Sequence, residues 1–247
     1  MPARPILDWP TLLASHNATR VQQRGGTTNK ARLKHLRKVL SLVPPSLLAG
    51  DARSTLMLEF GVRDAVSLNF MAGLSPKQLW HGFDSFSGMP ESDVLNTTKS
   101  WRRGQLTPTM HATRRGAVVN SSSSGAPVRL PRVAPNVALY AGWFNDTLPP
   151  FLDSVIAAAA STSATASTSA SSTAAAIAPP HVAFMHLDAD IYESTYLALT
   201  SVCRRGLLRE GTVLSFDEIF ATGNLLEPTL RHGSHAEVPR LDGLVCA

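Results

Sequence analysis

Short apolar runs alternate with stretches of helical spacing along most of this chain. "ARLKHLRKVLSLV" places Leu33, Leu36, Val39, Leu40 and Val43 on one side of a helix. "VPPSLLAGDARS" breaks that helix, and "STLMLEFGV" follows as a continuous apolar run suited to a strand buried on both faces. "AVSLNFMAGL" has helical character and stops near Gly73. "KQLWHGFDSF" predicts a second strand and "NVALYAGWF" a third. "TLPPFLDSVIAAAA" predicts a helix opened by its prolines. "HVAFMHLDAD" is the fourth strand, "STYLALTSVCRRGLL" a helix, and "GTVLSFDEIF" the fifth strand. Strand alternating with helix predicts an α/β fold, a doubly wound and mostly parallel sheet covered on both faces.

Two segments interrupt the pattern. Residues 102–132 carry paired arginines, "SSSSG" and prolines. Residues 157–178 contain only Ala, Ser, Thr and one Ile, with little bulky apolar surface to offset the entropy of ordering. Both are expected to be flexible surface insertions, although the first alanines of the second can extend the helix before them. The resulting division is an N-terminal helical segment (1–50), a core (51–222) with insertions at 102–132 and 157–178, and a short tail (223–247).

With 247 residues and 44% hydrophobic content, the chain can bury one large core. The net charge of +5 is concentrated in the N-terminal segment, where Asp8 is the only acid before Lys38, and in residues 102–132, which hold no acid. Neither basic stretch interleaves aromatic side chains, which argues against a nucleic-acid surface. No apolar run is long enough to span a membrane. Cys203 and Cys246 are the only cysteines, too few for a disulfide framework or a zinc site, and fit a reducing compartment. These features predict a cytoplasmic protein, while the basic N-terminus is also compatible with an organelle transit peptide.

The chemistry concentrates where the strands end. The first strand ends in Glu59-Phe60-Gly61, the second in Asp84-Ser85-Phe86, the fourth in Asp188 and Asp190, and the fifth in Asp217-Glu218. In a sheet of order 3-2-1-4-5, the ends of strands one and four meet at the switch in strand order, where ligands of such folds bind. An acid closing the second strand suits ribose hydroxyls, and Gly61 allows close backbone approach. The stretch "EFGVRDAVS" lacks the G-x-G-x-x-G cradle for a pyrophosphate, which disfavours a nicotinamide-dependent dehydrogenase. S-adenosylmethionine, a nucleoside without pyrophosphate, fits better. Converging carboxylates repel unless a cation compensates, and Asp188, Asp217 and Glu218 are hard oxygen ligands suited to Mg²⁺. "DIYE" also has the form of a capping box, which would make Asp190 a helix cap. His186 shares the strand-four face with Asp188 and reads more simply as a satisfied strand histidine than as a base.

The stretches "LEFGV…SLNFMA", "GFDSFSGMPE", "LYAGWFNDTLP", "LDADIYEST" and "GTVLSFDEIF" occur in this order. Together they resemble the macrocin O-methyltransferase family. That resemblance covers residues 56–220 outside the two insertions. It implies a Rossmann-like class I methyltransferase fold, S-adenosylmethionine and a divalent metal as cofactors, and methylation of a hydroxyl on a sugar or related small molecule. It further implies that Glu59, Gly61 and Ser67 border the methionine portion of the cofactor, that Asp84 holds the ribose, and that Ser85 and Phe86 lie near the adenosine. Gly142 and Trp143 would lie near the adenine, Asp188, Asp217 and Glu218 would bind metal, and Asp190 would be the general base. Three departures stand out: Ala65 where the family has glycine, Glu218 where it has aspartate, and a stretch after Phe220 shorter than the family's strand-forming tail. The last predicts an exposed fifth strand, which favours a homo-oligomer, or a truncated sequence. A catalytically degenerate S-adenosylmethionine-binding partner protein is the alternative.

Overall fold

A computed structural model describes residues 29–49, 54–90, 104–114, 116–166 and 179–217. The elements are helix α1 (Asn29–Leu40), a single turn α2 (Pro45–Leu48), strand β1 (Thr55–Phe60), helix α3 (Val66–Leu74), strand β2 (Trp80–Asp84), a turn α4 (Met110–Thr113), strands β3 (Val118–Asn120), β4 (Pro127–Arg129) and β5 (Val137–Ala141), helix α5 (Phe144–Ala166), strand β6 (His181–Leu187), helix α6 (Tyr192–Cys203) and strand β7 (Val213–Phe216). Five strands form one sheet in the order β5-β2-β1-β6-β7. Every neighbouring pair in it is parallel. This is the expected order, with the switch between β1 and β6. The expected N-terminal segment before residue 29, the low-complexity stretch at 167–178, Glu218 and the tail lie outside the described residues.

Both faces of β1 and β6 are covered, and apart from Thr55, Glu59, His181 and His186 both strands are apolar. Leu56, Leu58 and Phe60 pack with Met185 and Leu187 against Leu148, Phe151 and Leu152 of α5 and Ala198, Leu199 and Val202 of α6. Met57 and Phe184 point to the other face, toward Leu36 of α1 and Leu68, Met71 and Ala72 of α3. A one-residue register shift between Leu56 and Met57 leaves the successive residues Ala183 and Phe184 of β6 in the same cluster. Full burial of such side chains contributes about 1.5–3 kcal/mol each, which explains why these strands read as unbroken apolar runs.

Two stretches differ from the sequence expectation. Helix α5 does not start at its prolines: Trp143 O accepts from Asp146 N and Thr147 N, so a full turn forms ahead of Pro149 and Pro150. The same helix runs on to Ala166, extended by the first residues of the alanine-rich stretch as expected. Much of residues 102–132 is folded: β3 and β4 form an antiparallel hairpin whose turn holds the serine run, and Val119, Val128 and Leu130 pack onto the core beside α3. Cys203 is buried. Among the described residues no helix is long and apolar enough to cross a membrane.

Candidate active site

The parallel ladder continues one residue past each strand and fixes the residues that follow. Gly61 N donates to Phe83 O, Gly142 N to Asp84 O, Asp188 N to Phe60 O and Asp217 N to Leu187 O, all at 2.8–3.0 Å. The sequence acids at the strand ends are therefore held by backbone bonds to the neighbouring strand. They open onto a cleft of about 830 Å³, within the ordinary range for a small-molecule site.

Of the expected cofactor residues, Gly61, Ser67, Asp84, Ser85 and Trp143 line this cleft. Glu59 lies beneath it, fully buried, accepting from Ser67 Oγ at 2.6 Å and paired with His186 Nδ1 at 2.8 Å. Phe86 turns into the core beside α3 and does not line the cleft. Gly142 does not line the cleft either. Asp188, Asp190 and Asp217 all reach the cleft, and Glu218 lies outside the described residues.

Asp84 staples two loops. Its Oδ2 accepts from Val62 N and Arg63 N at 2.8 Å each, and its Oδ1 from Phe86 N at 2.7 Å. Burial pushes its carboxyl up from the ordinary carboxylate range; the bonds from Arg63, Phe86 and Val62 pull it back, and the nearby Glu59 raises it further. Oδ1 carries one N–H and retains room for a ligand hydroxyl. Gly61, at φ +87°, lets β1 and β6 close together: a Cβ there would lie 1.8 Å from the carbonyl oxygen of Asp188.

Asp190 is not the expected helix cap. Residue 191 is the N-cap of α6, without a side-chain bond, and Asp190 precedes it at φ +59°, in the left-handed region that aspartate tolerates. It is exposed toward the cleft.

The sequence reading missed Arg32. It projects from α1 so that Nη2 meets Asp188 Oδ2 and Nε lies 3.0 Å from Asp217 Oδ1. A guanidinium thus bridges the two carboxylates expected to hold a metal. Arg32 flanks the Leu33–Leu36 face, and a cation on the edge of a buried helix face opposite acidic strand tips is the signal that could have found it. His35, one turn on, is also close; burial lowers its pKa, Asp217 raises it, and His186 and Lys38 lower it. Among the described residues no group of three or more His, Cys, Asp or Glu side chains is disposed to hold a metal ion.

The 102–132 insertion also reaches the cleft. Ser123 Oγ accepts from Trp143 N at 2.6 Å, and Ser122 N donates to Ala141 O. Leu106 lines the wall, and Thr109 N donates to Asp64 Oδ1 at 2.7 Å.

No family model matches the chain, and no curated protein matches it. Among solved structures it is similar to a calicheamicin methyltransferase, CalS11. The two are 19% identical, the match covers 86% of this chain and 72% of that one, and the TM-score is 0.48.

Proposed function

We propose that this protein is an S-adenosylmethionine-dependent O-methyltransferase acting on a hydroxyl of a sugar or related small molecule with divalent-metal assistance. The observation that carries the proposal is the meeting of Asp84, Asp188, Asp190 and Asp217 around one cleft at the switch in strand order. The motif resemblance to the macrocin O-methyltransferase family supports it.

The residues fit a nucleoside. Asp84 Oδ1 has capacity to accept from a ribose hydroxyl, Ser67 is held in place by Glu59, and Trp143 offers a flat wall. Asp188 and Asp217, which engage the same guanidinium, are the residues that would hold a divalent ion. Bound S-adenosylmethionine would supply an electrophilic methyl group, and a bound metal would lower the pKa of the acceptor hydroxyl. The chain's own work is to hold the acceptor oxygen in line and to take its proton, a role for the exposed carboxylate of Asp190.

Calorimetry with S-adenosylmethionine, followed by a methyl-transfer screen over sugar and catechol acceptors with and without chelator, tests this reading. Methylated product that disappears in chelator and in Asp188→Ala or Asp217→Ala, with cofactor binding largely kept, is the expected result. Undiminished turnover of both variants in chelator would remove the metal from the mechanism. A second reading, a degenerate S-adenosylmethionine-binding partner protein, is favoured by Arg32 already neutralising the acid pair; cofactor binding without product from any acceptor would select it.

A further inference from the structure

The turn of the β3–β4 hairpin grips the residues that follow β5. Ser122 N donates to Ala141 O at 2.8 Å, and Ser123 Oγ accepts from Trp143 N at 2.6 Å. Between those two bonds lies Gly142, buried and at φ +153°, where a Cβ would stand 2.9 Å from Ser123 Oγ and 3.2 Å from Ser122 Cβ. The serine run is thus fitted closely to a bare stretch of backbone. The Trp143 carbonyl is held as well: it accepts from Asp146 N, Thr147 N and Thr147 Oγ1 at 3.0–3.1 Å. Both backbone polar groups of Trp143 are therefore engaged. Trp143 lines the cleft, while Ser123 does not and acts only through it. The hairpin is itself tethered at its base: Thr109 N donates to Asp64 Oδ1, Asn69 Nδ2 to Arg132 O, and Ala134 N to Asn69 Oδ1. A turn anchored in this way can hold its target rather than follow it.

We propose that Ser123 is a positioning residue for the nucleoside end of the cleft, holding the Trp143 main chain so that the indole stands ready as a wall for the base. The proposal rests on the cofactor reading above and adds the hairpin as the element that sets nucleoside affinity. Asp84 closes β2 and Trp143 follows β5, its parallel neighbour, and Gly142 N donates to Asp84 O at 3.0 Å. The carboxylate suited to a ribose and the ring suited to a base are thus joined through one backbone bond. Stacking of a base on an aromatic face is a large and sequence-tolerant source of affinity. It is realised in full only when the ring is already in place, because ordering a side chain or loop on binding subtracts from the gain. Removing the Ser123 hydroxyl takes the partner from Trp143 N–H and loosens the connection between β5 and α5, so that the ordering cost falls on the ligand.

The test is calorimetry of the full chain with S-adenosylmethionine. Ser123→Ala is expected to bind about five- to tenfold more weakly than wild type, the effect of losing one ordinary hydrogen bond. Ser124 lies in the same turn, exposed, with its Oγ accepting from Ala126 N. Ser124→Ala should keep wild-type affinity, which separates the grip on Trp143 from the integrity of the turn. Trp143→Ala supplies the second readout. In that background Ser123→Ala should weaken binding by less than about twofold, because residues that act through one contact are not additive. Equal losses in Ser123→Ala and Ser124→Ala would overturn the positioning role, and so would the same factor in both Trp143 backgrounds. Wild-type affinity in Ser123→Ala would overturn it while leaving the cofactor reading standing. Failure of the wild-type chain to bind S-adenosylmethionine would sink both readings together.

Discussion

Glu59 Oε1 and His186 Nδ1 lie 2.8 Å apart beneath the cleft floor, on adjacent strands and paired in register, with both side chains excluded from solvent. The same carboxylate oxygen accepts from Ser67 Oγ. One buried acid therefore ties β1 to β6 and to the first turn of α3, at the level where the cleft begins. Glu59→Ala would leave the imidazole and the hydroxyl without this partner in a water-excluded place. Each buried group so orphaned costs about 1–3 kcal/mol, so a loss of about 3 kcal/mol in denaturant unfolding is expected. Glu59→Gln, which keeps an oxygen acceptor, should lose less. Equal losses for the two variants would show that packing, not the hydrogen bonds, sets the cost.

A second buried histidine gives the fold a pH dependence. His81 on β2 shares a 3.0 Å hydrogen bond through Nδ1 with the Tyr140 hydroxyl and packs 4.6 Å from the Phe151 ring. Burial lowers its pKa from 6.5 to about 4, and burial raises that of Tyr140 to about 12. Because the folded value lies below the unfolded one, the unfolded chain takes up the proton first as pH falls. The stability due to keeping this ring neutral is whole above pH 6.5 and is lost as pH drops from there toward 4. That window amounts to about 3 kcal/mol for a shift of this size. In His81→Phe, the slope of melting temperature against pH between 6.5 and 4 should flatten. An unchanged slope would assign the acid sensitivity to other groups.

The five strands of the large sheet and their order were legible because a parallel strand buried on both faces has to be apolar throughout, and "TLMLEF" and "HVAFMHL" are nearly so. The acids at the strand tips were legible for the converse reason: a carboxylate closing an apolar run must reach solvent or a ligand. Ala65 shows how far the motif reading carried, since it occupies φ +58° with no exposure, the left-handed geometry that a glycine would adopt without cost. What periodicity could not show was tertiary. Phe86 lies beside Ser85 in sequence, but a positive φ of 52° turns it into the core. The serine run looked like padding because serine carries no packing signal, yet its turn is pinned by the backbone of Ala141 and Trp143. Arg32 was hidden for a similar reason: on a helix its charge reads as a solvated flank until the sheet places two carboxylates opposite it.

The approach of β1 to β6 is set by Gly61. A methyl group there would collide with the Asp188 carbonyl at 1.8 Å, a backbone atom that cannot rotate away, and φ +87° is itself costly for any other residue. Gly61→Ala should cost about 3 kcal/mol or more, the strain and the collision adding. Because the displaced carbonyl belongs to Asp188, this variant should also disturb the Arg32 contact; Gly73→Ala, where a Cβ meets nothing within 4 Å, is the matched control. Chemical denaturation of the pair checks this, and similar midpoints for both would refute the close-approach argument.

Asp190 separates the structural reading of the site from the chemical one. As a capping residue its loss would weaken α6, and replacement of an N-cap carboxylate by alanine costs about 1 kcal/mol. But residue 191 holds the cap position, while Asp190 stands in the left-handed region at the cleft wall. Asparagine tolerates that conformation as well as aspartate does, so Asp190→Asn should shift unfolding by less than about 1 kcal/mol. The same change removes the carboxylate that would accept the acceptor's proton, and loss of a positioned base lowers turnover about 10²–10⁴-fold. Methyl transfer should therefore collapse in Asp190→Asn while calorimetric affinity for S-adenosylmethionine stays at the wild-type level. Turnover within a few-fold of wild type would deny Asp190 the proton, and a loss of cofactor affinity parallel to the loss of rate would make it a wall of the binding site instead.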